Sequence, residues 1–403
     1  MLTLDTFREL LTPHGQQAIA AARSLDPTDA TLLRDLQTLR KTFPSDLASA
    51  ALETVLLRQR ARAKFSRSDQ MYFTREALEQ ASGEIIAIHR AARYRDAGDL
   101  IHDVCCSIGG DALGLASAGS QVIGLEIDPL RVAMAEANAL AYDVADRIRW
   151  IEADAQAFNP PRGALLFFDP ARRRSNRGGD RQRVWRPDDY QPPLSLIDGW
   201  IGLAAGWGVK VAPGIDYDVL PYECETEIVS VAGEVKEACL WFGALKRHGR
   251  SATVIAADGT SATLTNGSVP PVPSIAPLQY LYEPDGAVIR AHLIEQLADQ
   301  IGAAKIDDAI AFLTSDRLMP TPFARPYLIH ETLPFNLKRL RSRLRELEVG
   351  RVVVKKRGSP IDPQVLEQQL RLDRTLPRSI TIVLTHVLDQ PSVILCDRVE
   401  DGG

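Results

Sequence analysis

The chain has 403 residues, which at roughly 150 residues per domain points to two or three domains. Hydrophobic residues make up 45% and charged residues 25% of it, ordinary globular values that exclude a wholly disordered or fibrous protein. The formal charge of −5 excludes a protein coated all over in positive charge to grip nucleic acid, but not local basic patches.

No apolar stretch approaches the ~18–20 residues that span a bilayer. The start, Met1-Leu-Thr-Leu-Asp-Thr-Phe-Arg8, lacks the basic and apolar blocks of a secretory signal. The five cysteines have no framework spacing, and Cys105 and Cys106 are adjacent. Such a chain reads as reduced and cytoplasmic. No Cys-x-x-Cys or His-x-x-x-His spacing points to a metal site.

Residues 1–98 read as a helical segment. Apolar residues recur at three- and four-residue spacing in Leu32–Leu39 and Leu47–Leu57. Pro44 suits a first helical position, and Thr74 an N-cap ahead of Arg-Glu-Ala-Leu-Glu-Gln. From about 99, short apolar runs alternate with helical stretches: Leu100–Cys105, Val122–Glu126, Ile148–Ala153, Leu165–Phe168 and Val209–Ala212 are the strands. Near-continuous apolar strands of this kind form a parallel sheet covered on both faces. Glu227–Val231, Ala238–Phe242 and Ala252–Ala256 suit an antiparallel edge of that sheet. Val269–Pro277 holds four prolines in nine residues and reads as a linker. Beyond it, helices near Ala287–Ile301, Asn336–Glu346 and Pro363–Leu370 alternate with strands at Ala309–Thr314, Tyr327–Thr332, Arg351–Lys355, Thr381–Leu388 and Ser392–Cys396, an α+β pattern.

The chemistry concentrates where strands end. Ile101-His-Asp-Val-Cys-Cys-Ser-Ile-Gly-Gly-Asp111 joins a strand to a helix through a turn whose Gly109 and Gly110 let a ligand approach the backbone. Asp103 opens this turn, and a carboxylate there suits a cationic ligand such as the ammonium and sulfonium of S-adenosylmethionine; a dinucleotide phosphate would be repelled. Glu126 ends the next strand, 23 residues later, where an acid accepts from ribose hydroxyls. Asp128 and Pro129 suit the N-cap and first residue of the following helix. Asp154 follows the third strand, where it can meet an adenine amine. Asp169-Pro170-Ala-Arg172 follows the fourth strand and so belongs in the same crevice. Asp169 can accept an N–H from an amine nucleophile and leave its lone pair aimed at a methyl group. Two basic clusters, Arg172–Arg186 and Lys338–Arg357, suit phosphate contact, and Trp185 and Tyr190 lie in or beside the first.

Asp-Val-Cys-Cys-Ser-Ile-Gly-Gly-Asp-Ala at 103–112, Val-Ile-Gly-Leu-Glu-Ile-Asp-Pro at 122–129 and Phe-Asp-Pro-Ala-Arg-Arg at 168–173 resemble the class I S-adenosylmethionine methyltransferases that carry a C-terminal THUMP-like domain. Met71-Tyr-Phe-Thr-Arg-Glu-Ala-Leu-Glu-Gln80, Pro187-Asp-Asp-Tyr-Gln-Pro-Pro193, Gly233-Glu-Val-Lys-Glu-Ala238, Tyr282-Glu-Pro-Asp285, Leu333-Pro-Phe-Asn-Leu-Lys-Arg-Leu340 and Lys356-Arg-Gly358 extend the match. The core resembles, more distantly, the trimethylguanosine synthases. The resemblance implies an α/β fold: a helical segment (1–98), a Rossmann-like seven-stranded methyltransferase domain (99–268), a ferredoxin-like piece (278–332) and a THUMP-like domain (333–398). It implies S-adenosyl-L-methionine as cofactor, held by Thr74, Asp103, Cys105, Ser107, Gly109, Gly110, Glu126, Asp128 and Asp154. It implies catalysis by Asp169, Pro170, Arg172 and Tyr190, and RNA such as tRNA or rRNA as the partner, methylated on a base amine. Two departures stand out: Ser107 where many relatives have Gly, and Ala171 where amine methyltransferases carry Pro and then an aromatic ring. Tyr190 or Trp185 can supply that ring. The competing readings are a small-molecule methyltransferase and a non-catalytic RNA-binding or cofactor-sensing protein.

Overall fold

The structure, a computed structural model, describes residues 2–172, 190–217 and 220–399. It divides into two compact units: Met1–Glu225 with Ala238–Arg247, and Thr226–Glu237 with His248–Gly403.

The first unit opens with helices α1 (Leu4–Leu11), α2 (Pro13–Ser24), α3 (Leu32–Leu39), α4 (Ser45–Ala61), α5 (Arg75–Gln80) and α6 (Glu84–Tyr94). Thr3 and Thr12 cap α1 and α2 through side chains that accept from Thr6 N and Gly15 N. Helix α4 is apolar around most of its girth and buries Leu47, Leu52, Val55 and Leu57, which places it at the centre of the helical layer. Pro44 occupies its N-cap position, one residue before the first helical position that the sequence suggests. Thr74 caps α5, its Oγ1 accepting from Ala77 N at 3.1 Å.

Next come β1 (Leu100–Val104), α7 (Gly110–Ser117), β2 (Gln121–Glu126), α8 (Pro129–Ala141), β3 (Ile148–Glu152), β4 (Leu165–Phe168), β5 (Ala171–Arg172), β6 (Tyr190–Gln191) and β7 (Gly206–Val211), followed by β8 (Glu225–Val231) and β9 (Glu234–Gly243), of which residues 226–237 belong to the second unit and 238–243 to the first. Strands β7-β4-β1-β2-β3 lie side by side in that order, all parallel, with Ile101 opposite both Val122 and Leu165. Residues 238–243 of β9 run antiparallel to β7. This is the Rossmann-like arrangement, and it explains the apolar strands: β4 and β7 are buried along their whole length, and α7 is buried from Gly110 to Ala116. Asp128 caps α8 by accepting from Leu130 N, with Pro129 first in the helix. Strands β5 and β6 form a separate ribbon pairing Ala171 with Gln191 and Arg172 with Tyr190.

The second unit adds β10 (Arg250–Ile255), β11 (Ser261–Thr265), β12 (Tyr280–Pro284), α9 (Gly286–Arg290), α10 (Ile294–Ile301), β13 (Ala304–Lys305), β14 (Leu313–Ser315), β15 (Ala324–Pro334), α11 (Leu337–Glu346), β16 (Val349–Lys356), α12 (Pro363–Leu370), β17 (Arg378–Val387) and β18 (Gln390–Arg398). Strand β10 runs parallel to β8 and antiparallel to β11, so the expected all-antiparallel edge is corrected: of its three segments, only residues 238–243 pair antiparallel to the parallel sheet. A second sheet has the order β13-β14-β12-β15-β18-β17-β16. Strand β15 pairs with β12 on one side and β18 on the other, so a single sheet runs across position 332/333, where the sequence suggests a division. The expected helix at 287–301 is broken because His292 adopts a left-handed φ of 56° between α9 and α10. The proline segment lies inside this unit: Lys305 N donates to Pro273 O and Ile275 N to Lys305 O, both at 2.9 Å.

Candidate active site

A cavity of about 320 Å3 opens at the carboxyl ends of the parallel strands of the first unit. Six of the expected residues line it: Cys105, Ser107, Gly110, Glu126, Asp154 and Asp169. The location follows from topology, since each strand delivers its last residues to the same rim.

The turn after β1 has an unusual backbone. Cys105, Ser107 and Gly109 adopt φ values of 65°, 51° and 86°. Left-handed backbone costs a residue with a side chain roughly 1–2 kcal/mol. Ser107 therefore keeps the conformation that a glycine would adopt freely, and the Glu126 carboxylate helps to hold it there: Ser107 N donates to Oε2 at 2.9 Å. The other oxygen, Oε1, accepts from Ile127 N and Asp128 N, both at 3.0 Å. Gly109 is the N-cap of α7, and a Cβ there would lie 2.7 Å from the Trp150 ring.

Asp103 is fully buried, and neither of its oxygens makes a hydrogen bond. Burial raises its pKa to about 7; the negative charge of Asp169 adds to this, while Arg90, the Ala112 N–H and Lys210 oppose it. Burial likewise pushes the thiols of Cys105 and Cys106 up. Glu126 is the next cause for Cys105, and Asp103 for Cys106. Asp154 caps a short turn through Gln156 N and lines the cavity beside Ala153 and Ala155.

Asp169 is held by a partner that no motif announces. Lys210, on β7 and only 8% exposed, donates to Asp169 Oδ2 at 2.8 Å and to Gln80 O at 2.9 Å. Its one sequence signal is a lysine inside a run of buried strand residues. Ala81 and Arg131 also line the cavity without having been marked by pattern, and Gln80, Gln191 and Pro192 line it from the matched segments 71–80 and 187–193. Arg90 and Asp111 form a buried ion pair, which secures the first turn of α7 to α6.

Other expected residues lie elsewhere. Thr74 and Asp128 act as helix caps and do not line the cavity. Asp103, Gly109 and Pro170 sit behind its wall. Tyr190 points away from it: the ring is 1% exposed and its hydroxyl accepts from Ala212 N at 2.8 Å, which leaves no face for a base. The neighbouring Gln191 lines the cavity instead. The backbone of Arg172 is in β5; Trp185 and the Arg173–Arg186 part of the first basic cluster lie outside the described residues.

The donor set suits a positively charged ligand. Glu126, Asp154 and Asp169 face the cavity, and Asp103 is an orphaned carboxylate two residues before its lining. Leu125, Ile108 and Ala153 supply apolar wall for a flat ring. S-adenosylmethionine combines these properties, with a cationic end, a ribose and an adenine. Among the described residues no cluster of His, Cys, Asp and Glu could hold a metal ion, and no helix is long and apolar enough to cross a membrane.

Comparison with known proteins agrees. Residues 98–173 match the family model described as RNA cap guanine-N2 methyltransferase, 324–398 match a THUMP domain-like model, and 3–61 match a domain of unknown function. A 113-residue stretch, 26% of this chain and 25% of the relative, is 33% identical to a 23S rRNA (uracil-C5)-methyltransferase from Acidithiobacillus ferrooxidans. A crystal structure from Porphyromonas gingivalis W83, assigned as a methyltransferase, shares the fold: 21% identity, 96% of this chain, 99% of that one, TM-score 0.72. An uncharacterized S-adenosylmethionine-dependent methyltransferase from Mycobacterium tuberculosis is 36% identical over 357 residues, covering 85% of this chain and 94% of the relative. The chain belongs to the S-adenosylmethionine-dependent methyltransferases.

Proposed function

We propose that this enzyme methylates an exocyclic amine of a base in RNA. The observation that carries the reading is Asp169, fixed by Lys210 in the same cavity as the cofactor-type carboxylates. S-adenosylmethionine supplies the methyl group when bound. Glu126 and Asp154 would hold its ribose and adenine, and Asp103 would answer its positive charge from behind the turn. Lys210 takes up Asp169 Oδ2, which orients Oδ1 to accept an N–H of the incoming amine. Accepting that hydrogen bond turns the nitrogen lone pair toward the methyl group, and alignment of this kind matters more to the displacement than a strong base does. Ala171, Gln191 and Pro192 border the side of the cavity next to Asp169.

Support for RNA comes from the family models matched at 98–173 and 324–398 and from the rRNA methyltransferase relative. Carbon-5 methylation of a pyrimidine needs a thiolate nucleophile. The cavity's two cysteines are pushed the opposite way, toward the protonated thiol, which favours the amine reading. The test is transfer of tritiated methyl from labelled cofactor to bulk RNA, followed by mass spectrometry of RNA nucleosides from cells with and without the gene. A methylated amino-nucleoside missing from the cells without the gene is expected. Transfer to small molecules alone would reject the RNA substrate, and a missing 5-methylpyrimidine would reject the amine.

A further inference from the structure

A second cavity, of about 380 Å3, lies wholly within the second unit. It gathers three of the sequence motifs that the methyl-transfer site leaves unused: Gly233 at the turn before β9, Glu283-Pro-Asp285 at the end of β12, and Arg357 just after β16. Arg325 and Arg398, from β15 and β18, complete it.

Three guanidinium groups converge here, and among the described residues none of the three forms an ion pair. Their carboxylate neighbours are already engaged. Glu283 Oε2 accepts from Lys355 Nζ at 2.6 Å and from the Tyr327 hydroxyl at 3.0 Å. Asp285 Oδ1 accepts from Ala287 N at 2.8 Å as the cap of α9. The cavity is therefore left with positive charge to spare.

Two of the three arginines are placed by their surroundings. Arg357 is half-buried and lies 5.4 Å over the Phe312 ring. Arg325 lies across Gly233, where a Cβ would be 2.1 Å from Nη2, and Gly233 adopts a φ of 84° that glycine takes without strain. Rigid walls come from Pro284, Pro322 and Pro326. Planar guanidinium groups gathered around a concave site match the oxygens of a phosphate group, which they bind in paired hydrogen bonds.

We infer that this cavity of the second unit is a phosphate-binding site that anchors the RNA substrate through one of its phosphate groups. The inference rests on the RNA reading for the source of the phosphate, and on the geometry for its chemistry.

The test uses the full-length enzyme and two variants, Arg325→Gln/Arg398→Gln and the triple variant that adds Arg357→Gln. The first changes only exposed side chains, so it folds even where loss of Arg357 from Phe312 does not. Tritiated methyl transfer to RNA from cells lacking the gene gives kcat and the apparent KM for RNA. The expected result is a KM raised about ten-fold with kcat and cofactor affinity unchanged. The salt dependence of log KM should also flatten by about one unit of slope, as for one lost phosphate contact. If the wild type methylates RNA and the variants keep its KM and salt slope, the anchor is wrong and the RNA reading stands. If the wild type methylates no RNA, that reading fails and a melting assay with inorganic phosphate decides the site. Stabilisation of the wild type but not of the variants leaves a phosphate site for a free phosphorylated ligand; stabilisation of neither overturns it.

Discussion

The two cavities are near opposites in charge. The one at the strand ends is lined by Glu126, Asp154 and Asp169 and backed by Asp103, with Lys210 consumed by Asp169. The one in the second unit is lined by Arg325, Arg357 and Arg398, with Glu283 consumed by Lys355. In each, ions of the minority sign are engaged by neighbours, Lys210 by Asp169 in the first and Glu283 by Lys355 and Asp285 by the Ala287 N–H in the second, and the remaining excess suits a cation in the first and an anion in the second. A net charge of −5 averages the two away. Charge therefore informs about function here only after the fold has sorted it into pockets.

The contrast can be broken most severely at Asp169. Asp169→Ala removes the charge that Lys210 neutralises and, on the proposed reading, the acceptor for the amine. It should lower kcat by on the order of 10^3-fold while changing cofactor affinity by less than about three-fold. Calorimetric titration with the cofactor beside a transfer assay separates the two effects, and an unchanged kcat would remove Asp169 from the chemistry.

Glu126→Ala should come next. Charge-assisted hydrogen bonds contribute about 1.5–3 kcal/mol each, so losing a ribose contact should weaken cofactor binding by roughly 10^2-fold. Because Glu126 also holds three backbone amides, Glu126→Gln should fall between the two. Equal affinity of all three proteins would mean that the cofactor does not reach this carboxylate.

Asp103 sharpens the contrast through pH. Its carboxyl ionises near 7 in the folded chain and at its ordinary 3.8 when unfolded. Between these values the unfolded chain has given up a proton that the folded one keeps, so stability of the cofactor-free protein falls as pH rises from about 4 to 7 and then levels off. Asp103→Asn should raise the melting temperature at pH 8 and leave it unchanged near pH 4. The ionised carboxylate favours a cationic cofactor, so wild-type binding should tighten up to about ten-fold from pH 6 to pH 8. In the Asn variant that pH dependence should disappear; a parallel pH dependence in both proteins would assign it to another group.

The smallest change probes the basic side. Gly233→Ala places a methyl where Arg325 lies and strains a left-handed position, at about 1 kcal/mol of stability. A modest rise in KM for RNA should accompany it, smaller than for the double arginine variant. A rise as large as that variant's would mean that the turn, rather than the guanidinium, makes the contact.

The strand-end acids are legible in sequence because a parallel α/β sheet brings successive strand ends to one rim, so chain order alone predicts that Glu126, Asp154 and Asp169 meet. Lys210 is not legible, since its meaning depends on β7 lying next to β4, a pairing without a local signal. Tyr190 misleads because neighbouring residues of a strand face opposite ways: in β6 the ring turns inward and Gln191 takes the cavity side. The proline run at 269–277 resembles a boundary by composition, yet two backbone hydrogen bonds to Lys305 tie it into the second unit. The arginine cavity is not legible from its motifs one at a time, because positions 325, 357 and 398 come together only through the second sheet and Gly233 joins them from the turn before β9.

The short ribbon of β5 and β6 has a consequence for how such an enzyme changes over time. It pairs Arg172 with Tyr190, so these two positions are held side by side although 17 residues separate them in the chain. Doubling the length of such an excursion adds only about 0.6 kcal/mol of closure entropy. A change in the number of residues between positions 172 and 190 therefore need not disturb the register of β4, β7 and the cofactor cavity.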